Sequence, residues 1–110
     1  MEIIEEIQDS IKIFRLKGRL DSNTAQGLQD ELFRAISDGS KKIIVDFENL
    51  DYISSAGLRI ILKANRALLR EDGRVILCSM QSYIREIFKT TGIDNFVTIL
   101  NTMEQALKAF

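Results

Sequence analysis

Two adjacent serines, Ser54 and Ser55, stand directly before Ala56-Gly57 and the apolar run "LRIILK". Hydroxyls at the mouth of such a run have three possible chemistries. One is to cap a helix, accepting from a backbone N–H two or three residues on, a role that suits either serine. A second is to act as a nucleophile at a strand-to-helix elbow. That elbow needs glycine two places before the serine, where Ile53 stands before Ser55, and the chain has no histidine to take the proton. The nucleophile reading fails on both counts. The third is to accept a phosphoryl group. A phosphoserine adds about −1.5 to −2 charges, and at a helix N-terminus these face the positive end of the macrodipole, so the fold tolerates them.

Little else in the chain is equipped for catalysis. Without histidine no zinc constellation assembles, and the single Cys78 forms no internal disulfide. Cys78 reads as a small core residue on a strand. The commonest general base near neutral pH is missing, so no enzyme, metal or cofactor is expected. Arg59, Lys63, Arg66 and Arg70 follow the serines at spacings of four, three and four, which puts them on one helical face. That stripe is either a solvated face or a partner contact. Arg59, four residues after Ser55, is in reach of a phosphate there. Asp21 reads as a cap or turn residue.

Composition bounds what these residues belong to. With 110 residues, 45% of them hydrophobic and 28% charged, the chain is long enough for one continuous core, and a single domain over 1–110 is expected. A net charge of −1 supplies no pull toward nucleic acid or an anionic membrane. No apolar run nears the ~18 residues that span a bilayer, and the N-terminus "MEIIEEIQDS" is acidic where a signal peptide is basic. A cytoplasmic address is therefore expected.

The elements that must position the serines follow from periodicity. "EIIEEI" and "SIKIFRLKG" read as strands joined at Gln8-Asp9-Ser10, with Gly18 ending the second. Asp21, Ser22 and Asn23 are candidate caps for a helix carrying Ala25, Leu28, Leu32, Ala35 and Ile36, stopped by Asp38-Gly39. "KKIIVDF" lacks alternation and reads as a strand buried on both faces. From Ala56 to Arg70 a helix buries Leu58, Ile61, Leu62, Leu68 and Leu69, with Gly57 permitting close packing at its start. "RVILC" is another buried strand, "SYIREIFKT" a helix ended by a left-handed Gly92, "FVTIL" the last strand, and "TMEQALKAF" a helix capped by Thr102. The order β-β-α-β-α-β-α-β-α implies an α/β fold: a mixed, mostly parallel sheet with an N-terminal hairpin, covered by about four helices.

"DFENLDYISSAGLRIILKA" resembles the signature of STAS domains, in particular the bacterial anti-sigma-factor antagonists, through Asp46, Leu50, Ile53, Ser55, Gly57 and Leu58. "LKGRLDSNTA" is similar to a second family segment through Gly18, Leu20, Asp21, Thr24 and Ala25. "GRVILCSM" and "IREIFKTTGIDNF" resemble its fourth strand and penultimate helix end. The resemblance spans the chain and implies the STAS fold and a partner switch. In such a switch, the resemblance implies, the unphosphorylated protein binds an anti-sigma factor that is also a serine kinase, the sigma factor is released, the kinase phosphorylates the serine, and a serine phosphatase restores it. The resemblance implies Ser55, two before Gly57, as the acceptor, and Asp21 near the acceptor loop in kinase recognition; with the cation stripe that starts one turn after Ser55, the expected partner surface is Asp21, Ser54, Ser55, Gly57, Arg59 and Lys63. Where the family often carries Asp before the acceptor and Ser or Thr after it, this chain has Ser54 and Ala56, which leaves Ser54 as alternative acceptor or helix cap. STAS scaffolds or ligand-sensing modules that bind other regulators without phosphorylation are the alternative role.

Overall fold

Runs of β-branched residues set the sheet, and the apolar stripes between them set the helices. A computed structural model describes residues 1–110. It contains β1 (Glu2–Gln8), β2 (Ile11–Leu20), α1 (Ala25–Ser37), β3 (Lys42–Ile53), α2 (Ser55–Arg70), β4 (Arg74–Cys78), α3 (Ser82–Thr90), a 3-10 turn (Ile93–Asn95), β5 (Thr98–Leu100) and α4 (Met103–Lys108). The expected order holds, with the 3-10 turn added. The five strands lie side by side in chain order, β1 antiparallel to β2 and every later pair parallel. Gln8 faces Ile11 across the hairpin, leaving Asp9 and Ser10 as a two-residue loop, both at positive φ (51° and 69°). That geometry matches the twist of the flanking strands.

Alternation sorts the strand residues to two faces. Phe14, Val45, Phe47, Val75 and Leu77 pack with buried residues of α1, α2 and α3. Ile11, Ile13, Ile44, Ile76 and Cys78 pack beneath α4 through Ala106, Met103 and Leu107. Both sides of the central strands are covered, which is why "KIIV" and "VILC" read as unbroken apolar runs. Helix α1 stops as expected at Asp38-Gly39: Ser40 N–H donates to the Ala35 carbonyl and Gly39 N–H to Ile36, both at 3.0 Å. Gly92 is left-handed at φ 76°, and Thr102 caps α4 by accepting from Gln105 N–H at 3.1 Å.

Several expectations need correction. Strand β2 does not end at Gly18 but runs through it to Leu20, and β3 extends to Ile53 rather than Phe47. Leu69 is 55% exposed, while Ile60 and Asn65 take the buried positions instead. Asn65 is tolerated in the core because its amide donates to the Phe96 carbonyl at 2.9 Å. Strand β5 begins only at Thr98, and Phe96 lies outside it, 72% exposed. The N-cap position of α1 is Thr24, not Asp21, Ser22 or Asn23.

Candidate functional site

The two unexpectedly long strands build the platform for the serines. From Arg15 to Arg19, β2 advances four residues while β3 advances six, Asp46 to Tyr52, with register shifts after Arg15 and Gly18. Gly18 sits at the second shift with φ 105°, a conformation costly for any residue with a Cβ, so here glycine serves a bulge rather than a stop. At the first shift the buried Asp46 carboxylate holds the extra backbone. Its Oδ1 accepts from Glu48 N–H at 3.0 Å, and its Oδ2 accepts from Arg15 Nη1 at 2.7 Å. Arg15 also donates to Glu6 on β1 at 3.0 Å, and its pKa is raised, chiefly by that hydrogen bond.

Pairing with β4 ends at Asp46–Cys78, so the upper half of β3 has a strand on one side only. Side chains from the start of α3 take the place of the missing strand. Gln81 Nε2 donates to the Glu48 carbonyl at 3.0 Å, and the Tyr83 hydroxyl donates to the Asp51 carbonyl. These contacts deliver Ile53 and Ser54 beside the end of β2, where Ser54 N–H donates to the Leu20 carbonyl at 2.9 Å.

There the two serines part. Ser54 is extended (φ −98°, ψ 173°) and its Oγ accepts from Gly57 N–H at 3.3 Å, making it the N-cap of α2. Ser55 is the first helical residue, exposed, and its hydroxyl makes no hydrogen bond within the chain. Gly57 is buried one turn in. A Cβ there would lie 2.7 Å from Leu20 Cγ and 3.0 Å from Ile53 Cγ1. The close packing expected of Gly57 is present, but the residue is not at the surface; it sets how closely α2 approaches the strand ends.

The Asp21 segment lies alongside. Leu20 pairs with Ile53, which brings Asp21 next to the serines. Its Oδ1 accepts from Asn23 N–H at 2.9 Å and Thr24 N–H at 3.1 Å, so Asp21 closes the turn instead of capping α1. Partial desolvation pushes the Asp21 carboxyl up, but these N–H groups, the Thr24 hydroxyl and the Arg19 charge outweigh it and hold it below the usual 3.8. Arg19 in turn stacks 4.1 Å from the Tyr52 ring centroid, an exposed cation–π pair at the strand ends. Arg59, Lys63, Arg66 and Arg70 are all exposed along α2, and none is within ion-pair distance of a carboxylate. Lys63 lies 5.5 Å from the Phe33 ring centroid of α1.

Sequence reasoning missed Arg15, Gln81, Tyr83 and the Arg19–Tyr52 pair, since each acts through a partner distant in sequence. Arg19 and Tyr52 fall inside the two segments that carry the family resemblance; the other three do not. Cys78 is fully buried on β4, and burial pushes its thiol up to about 11, which keeps it in the unreactive form at neutral pH.

A parallel sheet with an antiparallel hairpin at one edge, bearing a serine loop between strand and helix, defines an α/β module of mixed-sheet type. The family model for the STAS domain matches residues 2–106, and the chain belongs to that family. It is 33% identical over 110 residues to BtrV of Bordetella bronchiseptica, a protein assigned as an anti-sigma factor antagonist, covering 100% of this chain and 95% of that one. It is 27% identical over 92 residues to the anti-sigma-B factor antagonist of Staphylococcus aureus, covering 84% and 85%. Among solved structures, the Bacillus cell fate determinant SpoIIAA in its phosphorylated form superposes with a TM-score of 0.76 at 27% identity, covering 97% of each chain. No helix of the structure is long and apolar enough to cross a membrane.

Proposed function

We propose that this chain, acting as one unit over 1–110, is a cytoplasmic anti-sigma-factor antagonist switched by phosphorylation of Ser55. Unphosphorylated, it binds an anti-sigma factor that is also a serine kinase and frees the sigma factor. The kinase transfers a phosphoryl group to Ser55, the complex parts, and a serine phosphatase restores the hydroxyl. The protein is substrate and ligand in this cycle, not catalyst. One observation carries the reading: Ser54 is committed as the α2 cap while the adjacent Ser55 hydroxyl is free and exposed. The names of the relatives and the phosphorylated state of SpoIIAA support it.

The switch works by charge without unfolding. The phosphate faces the N-terminal dipole of α2 and the Arg59 guanidinium one turn on, so the fold accepts it. A partner shaped for a neutral hydroxyl does not, because it must desolvate the phosphate and keep its own carboxylates away. A loss of about 2.8 kcal/mol weakens binding a hundredfold. Arg59 and Lys63, with the Asp21 turn and the Ser54–Ser55 loop, form the partner surface, and Gly57 sets its height. Calorimetric titration of the anti-sigma factor tests this. Wild type binds, Ser55→Asp binds at least a hundredfold more weakly, and Arg59→Glu falls between. Equal affinity of wild type and Ser55→Asp overturns the charge switch and favours a scaffold.

A further inference from the structure

The segment between β4 and α3 breaks local rules twice within three residues. Ser79 carries a positive φ of 63°, in the left-handed region that a residue with a Cβ rarely adopts. Gln81 occupies the N-cap position of α3, where Ser, Thr, Asp or Asn is favoured, and its side chain makes no cap hydrogen bond. Departures of this kind gather where a structure serves function at the expense of local stability.

Both departures serve one reach. After its N–H has donated to the Leu100 carbonyl at 3.3 Å, Ser79 turns the chain off the line of β4. The diverted chain brings Gln81 Nε2 to the Glu48 carbonyl at 3.0 Å and the Tyr83 hydroxyl to the Asp51 carbonyl. Behind these donors α3 is fixed. Ile84 and Phe88 are fully buried, and the Phe88 ring meets Phe47 of β3 edge to face, with 6.0 Å between centroids. A clamp with a buried base thus grips upper β3 at two points, the second only three residues before Ser54.

Little else holds that stretch. Its pairing with β4 has ended at Asp46, and its ladder with β2 is interrupted by two register shifts. Yet the Ser54 N–H must stay on the Leu20 carbonyl, and the Gly57 N–H on Ser54 Oγ, for the loop to keep its shape. Phosphoryl transfer needs the acceptor hydroxyl held in line with the donor, and small misplacements slow it greatly.

We propose that Gln81 and Tyr83 are positioning residues for phosphorylation of Ser55. They bond to neither serine and act by holding the end of β3 from which the serine loop springs. The inference rests on the reading of Ser55 as acceptor. Docking through Arg59 and Lys63, further along α2, does not need the clamp. A loosened loop therefore leaves the kinase bound while lowering the fraction of time in which Ser55 is presented, and kcat falls by that fraction.

The test is Gln81→Ala/Tyr83→Phe, which keeps the aromatic ring and removes both donors. Its control is Thr102→Ala, which removes the α4 cap on the other face of the sheet. Amide exchange is read on the free proteins, and phosphorylation by the cognate anti-sigma kinase and ATP is timed over a range of protein concentrations. The Ile44 amide, in the half of β3 paired on both sides, reports the whole fold. In the double variant the Ser54 and Gly57 amides should accelerate at least tenfold more than Ile44, and kcat should fall at least fivefold with KM within twofold. In Thr102→Ala those amides should accelerate no more than Ile44, and kcat should stay within twofold of wild type. Ser54 and Gly57 amides that merely follow Ile44 in the double variant, or an equal fall of kcat in Thr102→Ala, overturns the proposal. So does a rise in KM alone, which marks a partner contact. A wild-type protein that takes up no phosphate overturns the Ser55 reading and the rate claim with it. Normal phosphorylation of wild type and double variant alike overturns the positioning role alone.

Discussion

The two ends of α2 are built differently. At the upper end almost every group is engaged locally. Ser54 caps, Gly57 clears Leu20, and the strand beneath is held by Asp46, Gln81 and Tyr83. At the lower end Arg66 and Arg70 stand exposed with no carboxylate within ion-pair distance, and Leu69 is exposed beside them in sequence. Fixing a position requires many specific contacts, and the exposed side chains of the lower end make few. Substitutions of the engaged groups at the upper end should therefore cost stability, and those of the exposed groups at either end should cost little.

The sharpest break is at the base of the upper end. Arg15→Ala leaves the buried Asp46 carboxylate with Glu48 N–H as its remaining partner, an uncompensated charge expected to cost about 3 kcal/mol. Urea unfolding reads this directly; a loss under about 1 kcal/mol would mean the bulge does not depend on the pair. Gly57→Ala comes next. In an ordinary helix it would gain up to about 1 kcal/mol, but a Cβ 2.7 Å from Leu20 Cγ should turn that into a loss of about 2 kcal/mol. Calorimetry should show Tm falling by roughly 8 °C.

The serines sharpen the comparison further. Ser54→Ala should cost about 1 kcal/mol as a lost cap, while Ser55→Ala and Arg66→Glu should each stay within about 0.5 kcal/mol of wild type. Equal losses for the two serine variants in thermal unfolding would erase the division between them. The smallest effect is at Asp21. Its carboxyl is held below 3.8, so its ionised form adds stability that is present at neutral pH and is lost as pH falls through the depressed folded-state value. Asp21→Asn keeps the acceptor oxygen and removes the titration, so the acid limb of its stability curve below about pH 4 should be shallower than that of wild type.

How much of this could be read from sequence depended on range. The central strands announced themselves as β-branched runs, and Asp38-Gly39 and Thr102 acted as local rules say they should. The upper half of β3 did not, because "ENLDY" is polar and is held in strand geometry by Gln81 and Tyr83, some 30 residues away. Gly18 misleads for a related reason: a positive φ ends a strand or bulges it, and only the register with β3 decides. Leu69 fell on the edge of the apolar stripe, and Asn65, which periodicity places on that stripe but polarity argues against, is buried because Phe96 offers it a carbonyl. For the serines, sequence supplied the pair and the resemblance supplied Ser55. Either hydroxyl could have capped α2; the backbone at Ser54, extended and bonded to Leu20, gave the cap to Ser54.

The central claim is that Ser55 receives the phosphate because Ser54 is already used. Incubation with the cognate anti-sigma kinase and ATP, followed by fragment-ion mapping, tests it most directly. One phosphate on Ser55, absent from Ser55→Ala and retained in Ser54→Ala, is the result expected. Phosphate confined to Ser54, or a modified Ser55→Ala protein, would contradict it.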